Sequence, residues 1–414
     1  MNSRSLAVLA ALALAPAATL AQEAAAPAAP ATSAPEAPRD LAADVDKTTG
    51  KADATAEKLA EVEATVNGLK KLKLSGYVQG RFTDGQKGHY NEIFTKDYKD
   101  VDREGFYVRR GRLKAVYDAG DAEAVIQLDA TGSGVSLKEA YARLKLPWNV
   151  TIDAGQILIP FGYEVGTVSS ANLDVLERSG VVRKLLNGEY DRGAQVAWKY
   201  GKLSAKVGLF NGNGVDGDKK DNDSLKDVIG RVAYDFGFLN VGVSGWSGKL
   251  RVYQDVLDTS VTPAKVLLAA GDYDRTRVGV DAQTWLDLLP IGGTSLKVEY
   301  LQGETIIGST ATAADLPKLK PGVPQMGWYV TATQSIGKAD AVAARYDYYD
   351  ENTDAKDGEA KAKATATIAL AYHHYFGGNL KASVLYEMPR QVKGKTGFKD
   401  PKDDALTLQL QASF

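Results

Sequence analysis

The chain has 414 residues, 50 Lys+Arg against 52 Asp+Glu, a formal net charge of −2, 44% hydrophobic and 25% charged residues, and no cysteine. The near-neutral balance gives no basis for nucleic-acid binding, and the missing cysteine excludes a disulfide framework or a lipid anchor attached through a thiol. With 41 glycines and 20 tyrosines the composition leans to turns and strands rather than helices.

In chain order, Met1–Ala21 reads as a secretory signal: Arg4 gives a positive start, Leu6–Leu14 an apolar stretch, and Thr19-Leu20-Ala21 a small-x-small cleavage site. That stretch, like every later one, falls short of the ~20 apolar residues a spanning helix needs. An exported chain that crosses a membrane must then use strands, because only a helix or a closed barrel pairs every backbone group in lipid. Residues 22–38 are rich in alanine and proline and read as an extended tether. Residues 39–72 read as a helix, with Leu41, Val45, Thr48, Ala52, Thr55, Leu59, Val62, Val66 and Leu69 spaced alternately by four and three. This is a heptad seam of about four repeats, weak in its first half. A helix of this length is marginal alone. A periplasmic coiled coil is the expectation; one amphipathic helix packed on another element is the alternative.

Residues 73–414 read as strands. Sixteen are predicted: Lys73–Thr83, Gly105–Tyr117, Ala122–Asp129, Lys138–Leu146, Val150–Ile159, Ala194–Tyr200, Leu203–Phe210, Val228–Asp235, Leu239–Gly245, Arg275–Trp285, Ser295–Gln302, Gln325–Ile336, Ala341–Tyr349, Ala364–Phe376, Asn379–Glu387 and Leu406–Phe414. Short turns alternate with long polar connections, the longest being Pro160–Arg192. In the terminal strand Leu406, Leu408, Leu410, Ala412 and Phe414 share one face, and Thr407, Gln409, Gln411 and Ser413 the other. An apolar face for lipid, a polar face for a wet lumen and a final outward aromatic describe the last strand of a bacterial outer-membrane barrel. The fold class expected is all-β: a sixteen-stranded antiparallel transmembrane β-barrel preceded by a short N-terminal coiled-coil helix. An even strand number puts both barrel ends in the periplasm. Its surroundings would be outer-membrane lipid and lipopolysaccharide, with the barrel-assembly machinery engaging the strand that ends at Phe414. Tyr107, Tyr117, Trp198, Tyr200, Tyr234, Tyr300 and Phe414 fall on outward faces near strand ends, as interfacial girdles do.

Several stretches resemble the phosphate-selective porin O and P family. The strongest is Gly155-Gln156-Ile157-Leu158-Ile159-Pro160-Phe161-Gly162, followed by Ser169-Ser170 and Leu176-Glu177-Arg178-Ser179. Asp191-Arg192-Gly193, Phe210-Asn211-Gly212-Asn213-Gly214, Arg109-Arg110-Gly111-Arg112-Leu113, Gly327-Trp328-Tyr329-Val330, Arg345-Tyr346-Asp347-Tyr348 and the terminal LQLQASF fit the same register. The resemblance implies a sixteen-stranded channel, a homotrimer, with its third loop folded inward. One departure stands out: Leu158 occupies a position where phosphate-selective members carry a basic residue. The constriction loop 160–192 holds Arg178, Arg183, Lys184 and Arg192 against Glu164, Asp174, Glu177, Glu189 and Asp191.

Strand parity gives an independent picture of the lumen. Facing each strand's more apolar set outward places Lys73, Arg81, Arg110, Arg112, Lys114, Arg143, Lys145, Lys199, Lys206, Arg231, Arg277, Lys297, Arg345 and Lys381 inside. The inward acids are Glu123, Asp129, Glu139, Asp153, Asp235, Asp281, Glu299, Asp347 and Glu387, an excess of five positive charges. Rings of Lys and Arg favour anions in a pore, and a narrow channel focuses that field. The pore-lining candidates are Arg81, Arg110, Arg112, Lys114, Arg143, Lys145, Arg231, Arg277 and Arg345. Arg178, Arg183, Lys184, Glu177 and Asp174 are the candidates on the constriction loop. For a single residue, the plainer reading is a charge paired across strands. Arg110, Arg112 and Lys114 are the exception, with three consecutive inward positions of one sign; in lipid each would cost ~2–4 kcal/mol. Arg109 then needs a rim position or a bulge.

Other motifs lead nowhere. Gly212-Asn213-Gly214-Val215-Asp216-Gly217 matches GxGxxG but opens an Asp-rich loop, not a helix. Asp216, Asp218, Asp221 and Asp223 lack EF-hand spacing, so a solvated loop is the plain reading and a divalent cation the alternative. His373 and His374 are adjacent on a strand, hence on opposite faces, and the third histidine, His89, lies in a loop. No nucleophile–histidine pair or phosphate loop is present, so neither an enzyme nor a cofactor is expected. The expected function is an outer-membrane porin passing ions and small hydrophilic solutes, with a weak anion preference and phosphate as the family's candidate. The alternative is a structural protein tethered to the cell wall through its coil, with conduction secondary.

Overall fold

The computed structural model describes residues 41–86, 103–186, 188–215, 221, 224–252, 255–258, 265–305, 322–359, 362–401 and 403–414. The signal segment 1–21, the tether 22–38, His89 and Asp216, Asp218 and Asp223 lie outside the described residues. Two units are distinguished, Met1–Thr65 and Val66–Phe414. In the first, helix α1 begins at Leu41; the helix runs to Lys70. The predicted seam of α1 is uncovered: Leu59 is 58% and Val62 56% exposed.

In the second unit the strands in chain order are β1 (Leu72–Gly85), β2 (Arg103–Asp118), β3 (Ala122–Thr131), β4 (Gly134–Leu146), β5 (Val150–Leu158), β6 (Tyr190–Tyr200), β7 (Leu203–Phe210), β8 (Asp227–Asp235) and β9 (Leu239–Val252). They continue as β10 (Val256–Asp258), β11 (Lys265–Leu268), β12 (Gly271–Leu289), β13 (Gly292–Thr305), β14 (Val323–Ile336), β15 (Asp340–Asp350), β16 (Ala364–Tyr375), β17 (Leu380–Lys393) and β18 (Ala405–Ser413). Sixteen of them close an antiparallel barrel in sequence order, and β10 and β11 form a separate ribbon inside one connection. Closure is made by β1 on β18: Gly76 N donates to Phe414 O at 2.9 Å, and Phe414 N to Gly76 O at 3.0 Å. Glycine is required at this seam, because a Cβ on Gly76 would come within 2.6 Å of the Phe414 ring.

Alternation decides which side chains face in. Along β1, Tyr77, Gln79, Arg81 and Thr83 are buried, while Leu74 and Val78 on the alternate positions are exposed outward. Strand β2 carries a bulge. Gln79 pairs with Arg110 and Gly80 with Val108, which leaves Arg109 as the extra residue. Beyond the bulge the parity inverts. Tyr107 therefore turns inward and its hydroxyl meets Thr83 Oγ1 at 3.3 Å, so it does not belong to an outer girdle. Tyr117, Trp198, Tyr200, Tyr234, Tyr300 and Phe414 are exposed as expected.

Three predicted connections contract. Ala130–Leu137 becomes a tight hairpin, with Thr131 paired to Gly134 across Gly132-Ser133. The 246–274 connection is shortened because β9 and β12 pair as far as Val252 and Gly271. Strand β17 runs through Pro389, which pairs with Thr367 close to the end of both strands, where one missing ladder donor is tolerated.

The barrel interior also holds an apolar core that polar-in alternation does not anticipate. Ile157, Ile159, Phe161, Val165, Val181, Val182 and Leu185 pack against Phe210, Ile229, Trp246, Leu301, Tyr329 and Tyr349. Within β5, just before the inward segment, Gly155 has a φ of +138° that suits glycine. A Cβ there would lie 2.8 Å from Tyr141 Cα.

Candidate functional site

The segment between β5 and β6 folds into the lumen and is fastened around most of the barrel wall. It contains one short helix, α2 (Gly180–Leu185), whose first turn is capped by Ser179 Oγ accepting from Val182 N. At the start, Gly162 N donates to Ser244 Oγ of β9 at 2.9 Å. Tyr163 N and Glu164 N donate to the buried Glu299 carboxylate of β13 at 2.7 and 3.2 Å. Tyr329 of β14 gives its hydroxyl to the same carboxylate at 2.8 Å. At the middle, Ser170 Oγ meets Tyr77 OH of β1 at 2.7 Å, and Lys381 Nζ of β17 reaches Ala171 O at 3.1 Å. Asp174 is held by Lys297 Nζ at 2.7 Å and Thr333 Oγ1 at 3.2 Å, and its carbonyl by His373 Nε2 at 2.7 Å. Val175 and Leu176 pack on Ala343, Ala369, Ala371 and Leu385.

Glu177 is the charged end of this attachment. Its carboxylate takes Arg81 Nη1 at 2.5 Å, Arg109 Nε at 2.7 Å and Arg110 Nη2 at 3.3 Å. Burial alone would raise its pKa, but Arg110, Arg81 and Arg109 outweigh that and hold the carboxyl well below the usual glutamate range. The β2 bulge makes the cluster, since it turns two consecutive arginines, Arg109 and Arg110, to the same side. Arg345 locks the next stretch from β15, donating to Glu177 O at 2.7 Å and approaching Asp347 at 3.2 Å and Glu164 at 3.6 Å. For Glu164, burial wins over Arg345 and Arg178, so its carboxyl is pushed up.

The predicted residues fall into three groups. Arg81, Arg110 and Arg345 point inward but lie under the loop, bonded to it. Arg112 pairs with Asp129 at 3.3 Å and reaches Tyr190 OH at 2.9 Å; Arg231 pairs with Asp281 at 2.6 Å; Arg277 is buried over the Trp246 ring at 4.2 Å. These three cover the wall itself. Nearer open space, Lys114 meets Glu139 at 2.6 Å, Arg143 meets Asp153 at 2.6 Å and Lys145 meets Glu123 at 2.7 Å. On the loop, Arg178 is buried against Glu189 at 2.6 Å and the carbonyl of Val168 at 3.1 Å, and it also bonds the carbonyl of Glu164. Arg183 is exposed, and Lys184 lies 5.1 Å from the Tyr349 ring and 3.7 Å from Glu351. Lys199 and Lys206 are inward, exposed and without an ion pair among the described residues. Leu158 is half-buried against the apolar core rather than lining open space.

Sequence reasoning placed Glu299 inward and gave Arg109 a rim or bulge position, but it did not foresee that both fasten the loop, and it missed the apolar anchors. Loss of alternation was the available signal, as at Val228-Ile229 in β8 and Leu158-Ile159-Pro160-Phe161 after β5. Asp221 pairs with Lys226 at 2.7 Å. Among the described residues no group of three His, Cys, Asp or Glu could hold a metal. His373 faces in and His374 faces Asp340, so they do not meet one ion.

Residues 85–243 match the family described as Phosphate-selective porin O and P. No curated protein sequence matches the chain. Among solved structures, the outer membrane channel DcaP of Acinetobacter baumannii aligns with a TM-score of 0.56 at 15% identity, over 83% of this chain and 97% of that one. The anion-selective porin from Comamonas acidovorans aligns with a TM-score of 0.55 at 15% identity, over 83% and 100%. The trimer form of Vibrio cholerae OmpT gives 0.55 at 12% identity, over 83% and 99%. At these identities the structures establish the fold: a bacterial outer-membrane barrel of sixteen strands. The matched segment lies on that barrel, so over residues 85–243 the chain is similar to the phosphate-selective porin O and P family.

Proposed function

We propose that this porin is a general diffusion channel for ions and small hydrophilic solutes, with a weak preference for anions. The observation that carries the preference is where the charges are spent. The inward carboxylates Asp129, Asp153, Glu177 and Asp281 are buried and each is engaged by an arginine. Lys199 and Lys206 face open space with no carboxylate paired to them among the described residues. Unpaired cations on the wall set the sign of the local potential, and a low-dielectric wall strengthens it. Leu158, packed into the apolar core, supports a weak bias over strict phosphate selection.

Other parts of the reading concern assembly. The heptad seam of α1 and the family favour a homotrimer whose helices bundle in the periplasm, next to the cell wall. The signal segment 1–21 and the tether 22–38 would deliver and space that bundle, and the strand ending at Phe414 would engage the assembly machinery. The test is single-channel conductance of refolded protein in a planar bilayer, with phosphate titrated in. Conductance steps in threes with shallow phosphate block support the reading. Absence of channels, or complete block at low phosphate, contradicts it.

A further inference from the structure

A cavity lies against strands β6 to β8, several strands away from the Glu177 attachment on β1 and β2. It encloses about 360 Å³ between the first turn of the inward loop, at Pro160 and Thr167, and strands β6, β7 and β8. Three of its lining residues are cations, Lys199, Lys206 and Arg231, and none is a carboxylate. Thr151 and Ser204 add hydroxyls.

The register fixes how the cations are spread. Lys206 pairs with Ala197 on one side and with Arg231 on the other, while Lys199 lies two residues further along β6, opposite Ser204. Neighbouring strands are about 4.8 Å apart, so the three positions run over roughly 10 Å. Arg231 commits Nε and Nη2 to Asp281. Lys206 and Lys199 have no ion-pair partner among the described residues. A single small ion meets one end of this row. An anion with two charged groups on a short chain meets both ends, and the volume is at the lower end of the range for small-molecule sites.

We propose that this cavity is a resting site for small organic dianions, such as C4 dicarboxylates, with Lys206 and Arg231 holding one carboxylate and Lys199 the other. The inference rests on the porin reading and adds a solute class to it. The test uses the full chain in a planar bilayer, with chloride as the carrier and succinate, propionate or inorganic phosphate added. Succinate is expected to reduce chloride conductance saturably, and propionate to do so only weakly. Lys206→Gln and Lys199→Gln should each weaken the succinate effect by about tenfold, the loss of one charge-assisted contact, while still forming channels. Channels with no saturable succinate effect, or with an effect that both variants leave unchanged, overturn the site and leave the porin reading intact. Stronger block by phosphate than by succinate overturns the dianion assignment in favour of a simple oxyanion. Absence of channels overturns the porin reading itself, and the site with it.

Discussion

Replacing Glu177 by glutamine removes a carboxylate that Arg81, Arg109 and Arg110 share. The glutamate side chain is 11% exposed, and those of Arg81 and Arg110 are 3% and 5% exposed. Three guanidiniums would then face each other with little water to screen them. Breaking a buried charge set from one side costs about 3–5 kcal/mol. Urea unfolding of the protein refolded in vesicles should show a lower midpoint with an unchanged slope. Removing a like charge as well, in Arg109→Gln/Glu177→Gln, should recover part of the loss and give a measurable coupling energy. A change below about 0.5 kcal/mol in Glu177→Gln, the level of an ordinary surface substitution, would refute the role given to this cluster. The pH dependence follows from the same residue. Its folded-state pKa lies below the unfolded value of about 4.3, so the stabilisation is complete above that pH and is lost only as pH falls through the folded-state pKa. The attachment through Glu177 should therefore persist in mild acid, which unfolding midpoints at pH 7 and pH 5 can check.

Phe161→Ala empties the centre of the lumen core and should cost about 3–5 kcal/mol, with noisier open-channel current as the loop loses its apolar anchor. Gly155→Val adds strain at φ +138° and a clash with Tyr141; the yield of heat-modifiable folded barrel on gels should fall. Deleting residues 22–70 should leave a conducting barrel, and a peptide of residues 39–72 should sediment as an oligomer; a monomeric peptide would count against the bundled helix.

The strand count, the barrel and the length of the connection after β5 were legible because they depend on period-two alternation and on turn composition, which are local; that this connection folds inward was an expectation from the family resemblance alone. The terminal strand with its outward Phe414 and the three-cation run Arg110, Arg112 and Lys114 were legible for the same reason. The fate of those cations was not. Whether an inward arginine lines water or binds a loop depends on where residues 160–189 lie, and the Glu177–Arg81 contact joins positions 96 residues apart. Arg109 marks the boundary between the two. Its conflict with parity was visible in the sequence, and one extra residue in β2 resolves it, but that same bulge turned Tyr107 inward against the simple alternation. Leu158 stood out as apolar where a basic residue was expected; its packing against the lumen core required the fold.

The most direct test of the central claim is the reversal potential of the refolded full chain in a planar bilayer under a potassium chloride gradient. The account predicts a potential of the sign for chloride over potassium, well short of the ideal anion value, and reduced when Lys199 and Lys206 are both changed to glutamine. A potential of the opposite sign would contradict it.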